Sequence, residues 1–220
     1  MSPDKIVPTL ASGSPRRRRL LSLAGWLFHV QPADVDETPR AGEAPLEYVL
    51  RMAETKARAA AESHRPNALI LAADTTVADG DAILGKPGDP AEAIAVLQRL
   101  RGRAHQVHTA IAVIRAGALH SDVCTTTVPM RAYSDEEIFQ YVKSGDPFDK
   151  AGGYAIQHDG FQPVASMQGC YANVMGLPLC HLVRTLRKLG IDAPNDVPQA
   201  CQEHLEYQCP VFEQILQGQL

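Results

Sequence analysis

Apolar residues fall along the chain in two kinds of pattern, short unbroken runs and stripes of helical period. Residues 6–11 form a short apolar run that reads as a buried strand, and residues 12–14 supply turn chemistry directly after it. Ser14 fits a helix N-cap, Pro15 the first helical position and Gly25 the stop. A hydroxyl there satisfies a free N–H, proline loses no hydrogen bond, and glycine turns the chain out of the helix. The pattern predicts a strand, a loop and a helix with a sharp start, with Leu20, Leu21 and Ala24 facing the core. Residues 27–30 predict a second strand, and the polar, Pro- and Gly-bearing residues 33–44 a loop. From Pro45 a helix is predicted to about Ser63. Its stripe is Leu46, Val49, Leu50 and Ala53, continuing through Ala57 and Ala60, with Lys56 at the edge.

The run at residues 68–73 stops at Asp74, the profile of a buried strand that ends in a carboxylate. Residues 77–84 read as a hairpin turning on Asp79-Gly80, ended by Gly85-Lys86-Pro87. A helix is predicted over residues 90–100, closed by Gly102. Residues 107–114 and 118–129, rich in Thr and Val, predict two strands joined at Ala116-Gly117. Ser134 with Glu137 three residues on is a capping box that opens a helix to about Ser144. Residues 146–176 are Gly-rich and read as loop, with brief strands over 154–157 and 161–165. A last helix is predicted over 178–189. Residues 191–220 carry Pro and Gln with no clear period and read as a peripheral tail beyond a domain at 1–190. Helices between strands, mixed with hairpins, predict an α/β fold with a mixed sheet.

A chain of 220 residues makes one large domain or two small lobes sharing a cleft. The formal net charge of −4 argues against a nucleic-acid partner, while the basic run Arg16 to Arg19 suits a small anionic ligand. The odd number of cysteines, 5, with no C-x-x-C pair, reads as free thiols in a reducing compartment. No apolar run reaches the ~20 residues of a membrane span, and the first residues lack a signal pattern. A cytoplasmic protein without a membrane partner is the expectation.

Four segments can carry chemistry. A strand ending in small residues at a helix start presents free N–H groups and the positive end of the helix dipole. In Ser12-Gly13-Ser14-Pro15-Arg16-Arg17, hydroxyls and two guanidinium forks add to these donors, a combination that suits phosphate oxygens. A plain helix cap followed by solvated arginines accounts for that loop equally well. Asp74, followed by Thr75 and Thr76, stands where α/β proteins build sites, able to hold a metal or activate water, or simply to cap a turn. Residues 80–86 fit G-x-x-x-x-G-K, yet Pro87 replaces the hydroxyl residue that would bind magnesium, which excludes a phosphate loop of that type. Lys86 on a rigid Gly-Lys-Pro corner can still aim an ammonium at a phosphate. In Asp149-Lys150-Ala151-Gly152-Gly153-Tyr154-Ala155-Ile156-Gln157 the paired glycines allow close backbone approach and Gln157 can read a base edge, or the segment is a glycine-bearing bend between strands. His105 and His108, three apart on a strand, fall on opposite faces, which disfavours a shared metal.

Taken in order, these segments resemble the Maf family of nucleoside-triphosphate pyrophosphatases. The resemblance rests on Leu10-Ala11-Ser12-Gly13-Ser14-Pro15-Arg16-Arg17, Asp36-Glu37-Thr38-Pro39, Lys56-Ala57, Ala73-Asp74-Thr75, Gly85-Lys86-Pro87, Asp149 to Gly152 with Tyr154 to Gln157, and Asn173 to Pro178. It implies a mixed twisted sheet with flanking helices, in two lobes around a cleft. It also implies a divalent cation (Mg, Mn or Co) and cleavage of a nucleoside triphosphate between its α and β phosphates, in clearance of unwanted nucleotides. Asp74 is the implied catalytic base, and Asp74 and Glu37 are the implied metal ligands. Ser12, Ser14, Arg16, Arg17, Glu37, Lys56, Thr75, Lys86 and Gln157 are the implied substrate contacts, and Arg17, Thr75 and Gln157 the specificity residues. Thr75 and the segment ending in Gln157 resemble the branch acting on dTTP and UTP. The alternatives are a preference such as 7-methyl-GTP, or a non-catalytic nucleotide-binding regulator of cell division. A homodimer is compatible with each. The chain departs from the family pattern at His158-Asp159-Gly160 and at Val164-Ala165-Ser166-Met167, which lacks a lysine usual there.

Overall fold

The computed structural model describes residues 6–220. Within them β1 (Thr9–Leu10), β2 (His29–Val30), β3 (Ile70–Asp79), β4 (Ala82–Leu84), β5 (Ala104–Arg115) and β6 (Ala118–Pro129) form one sheet in the order β2-β1-β3-β5-β6, with β4 added on β3. β1 runs parallel to β2 and β3, whereas β3, β5 and β6 form an antiparallel meander, so the sheet is mixed as the element order predicts. The β5–β6 hairpin turns on Ala116 and Gly117, both at positive φ (50° and 79°), whose hand suits the twist of the strands.

One consequence of this topology builds the site. β5 covers one edge of β3 from Ile70 to Ala78, so β1 and β4 must share the other edge. β1 occupies it at Ile70 and Leu71, and β4 at Val77 to Asp79. Between them no strand among the described residues faces that edge of β3, and the sheet opens into a cleft.

Helices cover both faces. α2 (Pro45–Ala61) packs Val49, Ala53, Ala57 and Ala60 against Ile70, Ala72, Ala110 and Ala112. On the opposite face α1 (Pro15–Ser22) and the later α6 (Leu179–Arg187) pack Leu20, Leu21, Leu182 and Leu186 against Leu71, Ala73, Ile111 and Val113. Beyond the gap α3 (Pro90–Leu100) and α4 (Asp135–Lys143) enclose a second lobe around Leu97, Val107, Tyr133, Tyr141 and Phe161. The long strands run through both lobes. The capping box at the start of α4 is formed, with Ser134 and Glu137 exchanging side-chain and backbone bonds.

The structure corrects four expectations. Asp74 does not end its strand: it lies within the ten-residue β3, opposite Ala110 of β5. The carboxylate is tolerated there because it points into the cleft and meets a cation. No strands form over 154–157 or 161–165, where the only pairing is a bridge between Val164 and Met130. Instead Gly152 and Gly153 take φ of 71° and 66°, and the Gly152 N–H donates to the Gly85 carbonyl at 2.9 Å. The stripe of α2 is rotated from the predicted one, with Leu46 47% exposed and Met52 and Lys56 buried. Finally, residues 191–220 hold two short helices, α7 (Val197–Leu205) and α8 (Phe212–Leu216), between which and α6 Val197, Leu205 and Ile215 are buried. Only Val197 and Leu205 of α7 and Ile215 of α8 are buried, so neither helix carries an apolar stripe that the sequence could show. A four-residue helix, α5 (Tyr171–Val174), precedes α6. The five cysteines are free thiols. Among the described residues no helix is long and apolar enough to cross a membrane.

Candidate active site

The gap beside β3 is the mouth of a cavity of about 620 Å³. Nine of the ten residues singled out from the sequence line it, namely Ser12, Ser14, Arg16, Arg17, Glu37, Lys56, Asp74, Thr75 and Lys86. The tenth, Gln157, lines an adjoining cavity of about 310 Å³ that shares Arg16, Lys150, Ile156 and Met175 with the first.

Strand alternation divides this site in two. Asp74 follows Ile70 and Ala72 onto the α2 face, where Lys56 extends the α2 stripe toward it. The Lys56 ammonium donates to Asp74 Oδ1 at 2.6 Å and lies 2.6 Å from Glu37 Oε1. Lys56 and Asp74 are buried, while about half of the Glu37 side chain is exposed. Burial pushes the Glu37 carboxyl up, but the Lys56 hydrogen bond and charge, aided by Lys86 and Arg17, hold it below the usual carboxylate range. The loop that carries Glu37 is pinned by Arg51, which bridges both oxygens of Glu43 and donates to the Thr38 carbonyl. Tyr48 joins this wall, its hydroxyl donating to the Glu37 carbonyl at 2.9 Å, its phenol pushed up to about 12 by burial and by Asp74 and Glu37. Sequence reasoning passed Tyr48 over. Its signal was the spacing 48, 52, 56, one ridge of a helix.

Thr75 points to the other face, toward α1. Ser14 caps that helix by accepting the Arg17 backbone N–H, with Pro15 at its first position. Ser12 Oγ accepts from the Ser14 N–H at 3.3 Å and from Arg17 Nη1 at 3.2 Å. The Arg17 guanidinium also donates through Nε to the Gly176 carbonyl at 2.8 Å and through Nη2 to Thr75 Oγ1 at 3.0 Å. Burial lowers its pKa, with Asp74 pulling the other way. Gly176 is required for this approach: it has φ of 102°, and a Cβ there would stand 3.2 Å from Thr75 Oγ1. Behind Thr75 the hydroxyl of Thr109 lies 2.9 Å away and itself donates to the Asn173 carbonyl at 2.9 Å. Thr109 is not distinguishable from the sequence, and Asn173 is marked there only as the first residue of a motif; their roles enter through strand register and long-range packing.

Lys86 stands exposed on the opposite rim, its corner held by the Gly152–Gly85 bond. Lys150 is differently placed. All its ammonium protons have acceptors on Asp146 and Asp149, at 2.6–2.8 Å, so it braces the loop.

The chemistry of the donors suits a hard divalent cation. Glu37 and Asp74 converge closely enough to be bridged by one ammonium, and magnesium-type ions are held by one or two carboxylates plus phosphate oxygens. Among the described residues no group of three or more His, Cys, Asp or Glu is placed to hold a metal by itself. The cavity thus combines an anion-binding helix start, cations on two walls and a carboxylate pair at the open sheet edge.

Comparison with known proteins gives one consistent result. The Maf family model, described as Maf-like protein, matches residues 8–189. A protein of Myxococcus xanthus named dTTP/UTP pyrophosphatase is 49% identical over 196 residues, covering 88% of this chain and 98% of its own. Proteins of the same name from Dehalococcoides mccartyi and Thermomicrobium roseum are each 44% identical, covering 83% and 92% of this chain and 82% and 92% of their own. A crystal structure of a nucleoside-triphosphatase / dITP/XTP pyrophosphatase from Mycobacterium abscessus is 17% identical with a TM-score of 0.43. It covers 84% of this chain and 98% of that one, a likeness too distant to add to the fold described above.

Proposed function

The chain belongs to the Maf family, and on that premise we propose that it hydrolyses dTTP and UTP to the nucleoside monophosphate and pyrophosphate. The observation that carries this reading is the Lys56–Asp74 pair, with Glu37 on the same ammonium, set in the gap of the sheet opposite the loop of residues 12–17. Phosphoryl chemistry rests on positioning and charge stabilisation, and these residues supply both.

The positive end of the α1 dipole, with Arg16 on one wall and Lys86 on the other, neutralises the triphosphate. Lys56 holds the Asp74 carboxylate in place through their 2.6 Å bond. Asp74 takes the proton from water as it attacks phosphorus in line with the departing pyrophosphate. Glu37 and Asp74 would hold a divalent cation together with substrate oxygens, and that ion supplies withdrawal of phosphate charge and a lower pKa for bound water. Residues 1–190 contain every one of these groups, and we assign residues 191–220 a bracing role against α6.

The test is a panel of nucleoside triphosphates, including 7-methyl-GTP, with magnesium, manganese or cobalt, scored for monophosphate and pyrophosphate. Release of pyrophosphate preferentially from dTTP and UTP supports the reading. Preference for another base revises the substrate, and binding of nucleotide without pyrophosphate release overturns the enzymatic assignment.

A further inference from the structure

Thr75, Thr109 and Asn173 are joined in a chain whose proton directions are decided at both ends. At one end Arg17 Nη2 can only donate, so Thr75 Oγ1 accepts from it at 3.0 Å. At the other end the Asn173 carbonyl can only accept, and Thr109 Oγ1 lies 2.9 Å from it. Two oxygens at that distance with no proton between them would repel, so the single Thr109 proton goes to Asn173. Thr109 then has none to offer Thr75, and the 2.9 Å contact between the two hydroxyls is filled by the Thr75 proton. Thr109 and Asn173 are fully buried, where an unmade hydrogen bond is costly, so the chain has one low-energy arrangement. Asn173 is itself fixed, its Nδ2 donating to the Val107 carbonyl and to Thr126 Oγ1, both at 2.9 Å.

The consequence lies on the cleft side of Thr75. With its proton committed inward and one lone pair on Arg17, its hydroxyl has only a lone pair left for a ligand. A phosphate oxygen would meet it lone pair to lone pair. A ligand group that touches Thr75 must bring an N–H or O–H, while the unused Nη protons of Arg17 alongside seek an acceptor. A donor next to an acceptor is the imide edge of uracil and thymine, N3–H beside a carbonyl. We infer that Thr109, anchored on Asn173, is a positioning residue that makes Thr75 a hydrogen-bond acceptor toward the cleft, where it selects the imide N–H of the base. The inference rests on the proposed nucleotide reading and names the contact behind it. Thr109 acts through Thr75 and touches no substrate.

The test compares UTP with N3-methyluridine triphosphate, which lacks that N–H. Hydrolysis is followed in the wild type, Thr109→Val and Thr109→Ser. Binding of both nucleotides is followed by calorimetry in an Asp74→Asn background, where hydrolysis is expected to be ~100-fold slower or more. The wild type should favour UTP by roughly tenfold or more, the discrimination a hydrogen-bonding site makes against an analogue lacking its partner. Thr109→Val should raise KM for UTP about tenfold, leave the methylated nucleotide little changed, and so narrow the preference. Thr109→Ser should restore it. Equal use of both nucleotides by the wild type overturns the inference, as does an equal loss on both in Thr109→Val. If Thr109→Val does not fold, the wild-type comparison and Thr109→Ser still decide. Absence of pyrophosphate release with the binding preference intact would sink the enzymatic reading alone, and intact hydrolysis with no preference would sink only this inference.

Discussion

The ammonium of Lys56 sits between two carboxylates, 2.6 Å from Asp74 Oδ1 and 2.6 Å from Glu37 Oε1. The two partners are not equivalent. Asp74 lies on the central strand with its side chain 11% exposed, whereas Glu37 comes from a loop and is 53% exposed. Loss of one carboxylate leaves Lys56 paired with the other, but loss of the lysine leaves two anions facing each other.

Replacement at this pair should therefore separate chemistry from stability. Asp74→Asn is expected to lower turnover ~100-fold or more by removing the base, with a melting temperature close to wild type because Glu37 still pairs with Lys56. Lys56→Met is expected to lower both, since uncovering a largely buried carboxylate costs on the order of 3 kcal/mol. Pyrophosphate release and thermal melts measured on the two variants check this. Near-wild-type turnover by Asp74→Asn would remove Asp74 from the mechanism.

Gly176→Ala should weaken the arginine's hold. At φ of 102°, with Thr75 Oγ1 3.2 Å and Arg17 Nε 3.4 Å from the new methyl, the backbone is strained and the Arg17–Gly176 bond must lengthen. A loss of about 1–3 kcal/mol in stability is expected, together with faster hydrogen exchange over residues 173–177. Unchanged exchange there would show that α5 is held by other contacts.

Stability should fall in acid through buried histidines. Burial holds the His105 pKa down to about 4, opposed in part by Asp79, and its Nε2 contacts the Tyr154 hydroxyl at 2.7 Å. Between pH 6.5 and 4 the unfolded chain carries a proton that the native His105 does not, so acid favours unfolding in that window. The contribution is complete above 6.5 and is lost toward 4, by about 3 kcal/mol. His181, also held down to about 4 by burial, adds to the same slope. Denaturant titrations at pH 7 and 4.5 should show His105→Gln losing less stability on acidification than wild type. Equal losses would place the sensitivity elsewhere.

Deletion of residues 191–220 should lower the melting temperature sharply, because Val197, Leu205 and Ile215 leave the cluster that covers α6. Burial of each such side chain contributes on the order of 1.5–3 kcal/mol. The Arg184 bridge from Asp122 to the Ile215 carbonyl is lost as well. A truncated chain that melts within a few degrees of the full one would show that these helices do not brace the rest of the chain.

Features decided within a few residues were legible from the sequence. The Ser14 cap with Pro15, the capping box at Ser134, α3 from Pro90 to Leu100 and the strand from Ala118 to Pro129 all rest on neighbours in the chain. The ordered motifs likewise gathered nine of the ten named residues around one cavity. What the tertiary structure alone decided involves partners far apart. The gap that admits Asp74 exists because β1 and β4 share an edge of β3 without meeting, which no local pattern encodes. Thr109 is 34 residues from Thr75, and Asn173 is 64 beyond Thr109, so their hydrogen bonds depend on strand register and on where α5 docks. A threonine in a strand has the same local signature whether its hydroxyl is idle or directs a ligand. Only the position of its neighbours in space gives that proton a direction.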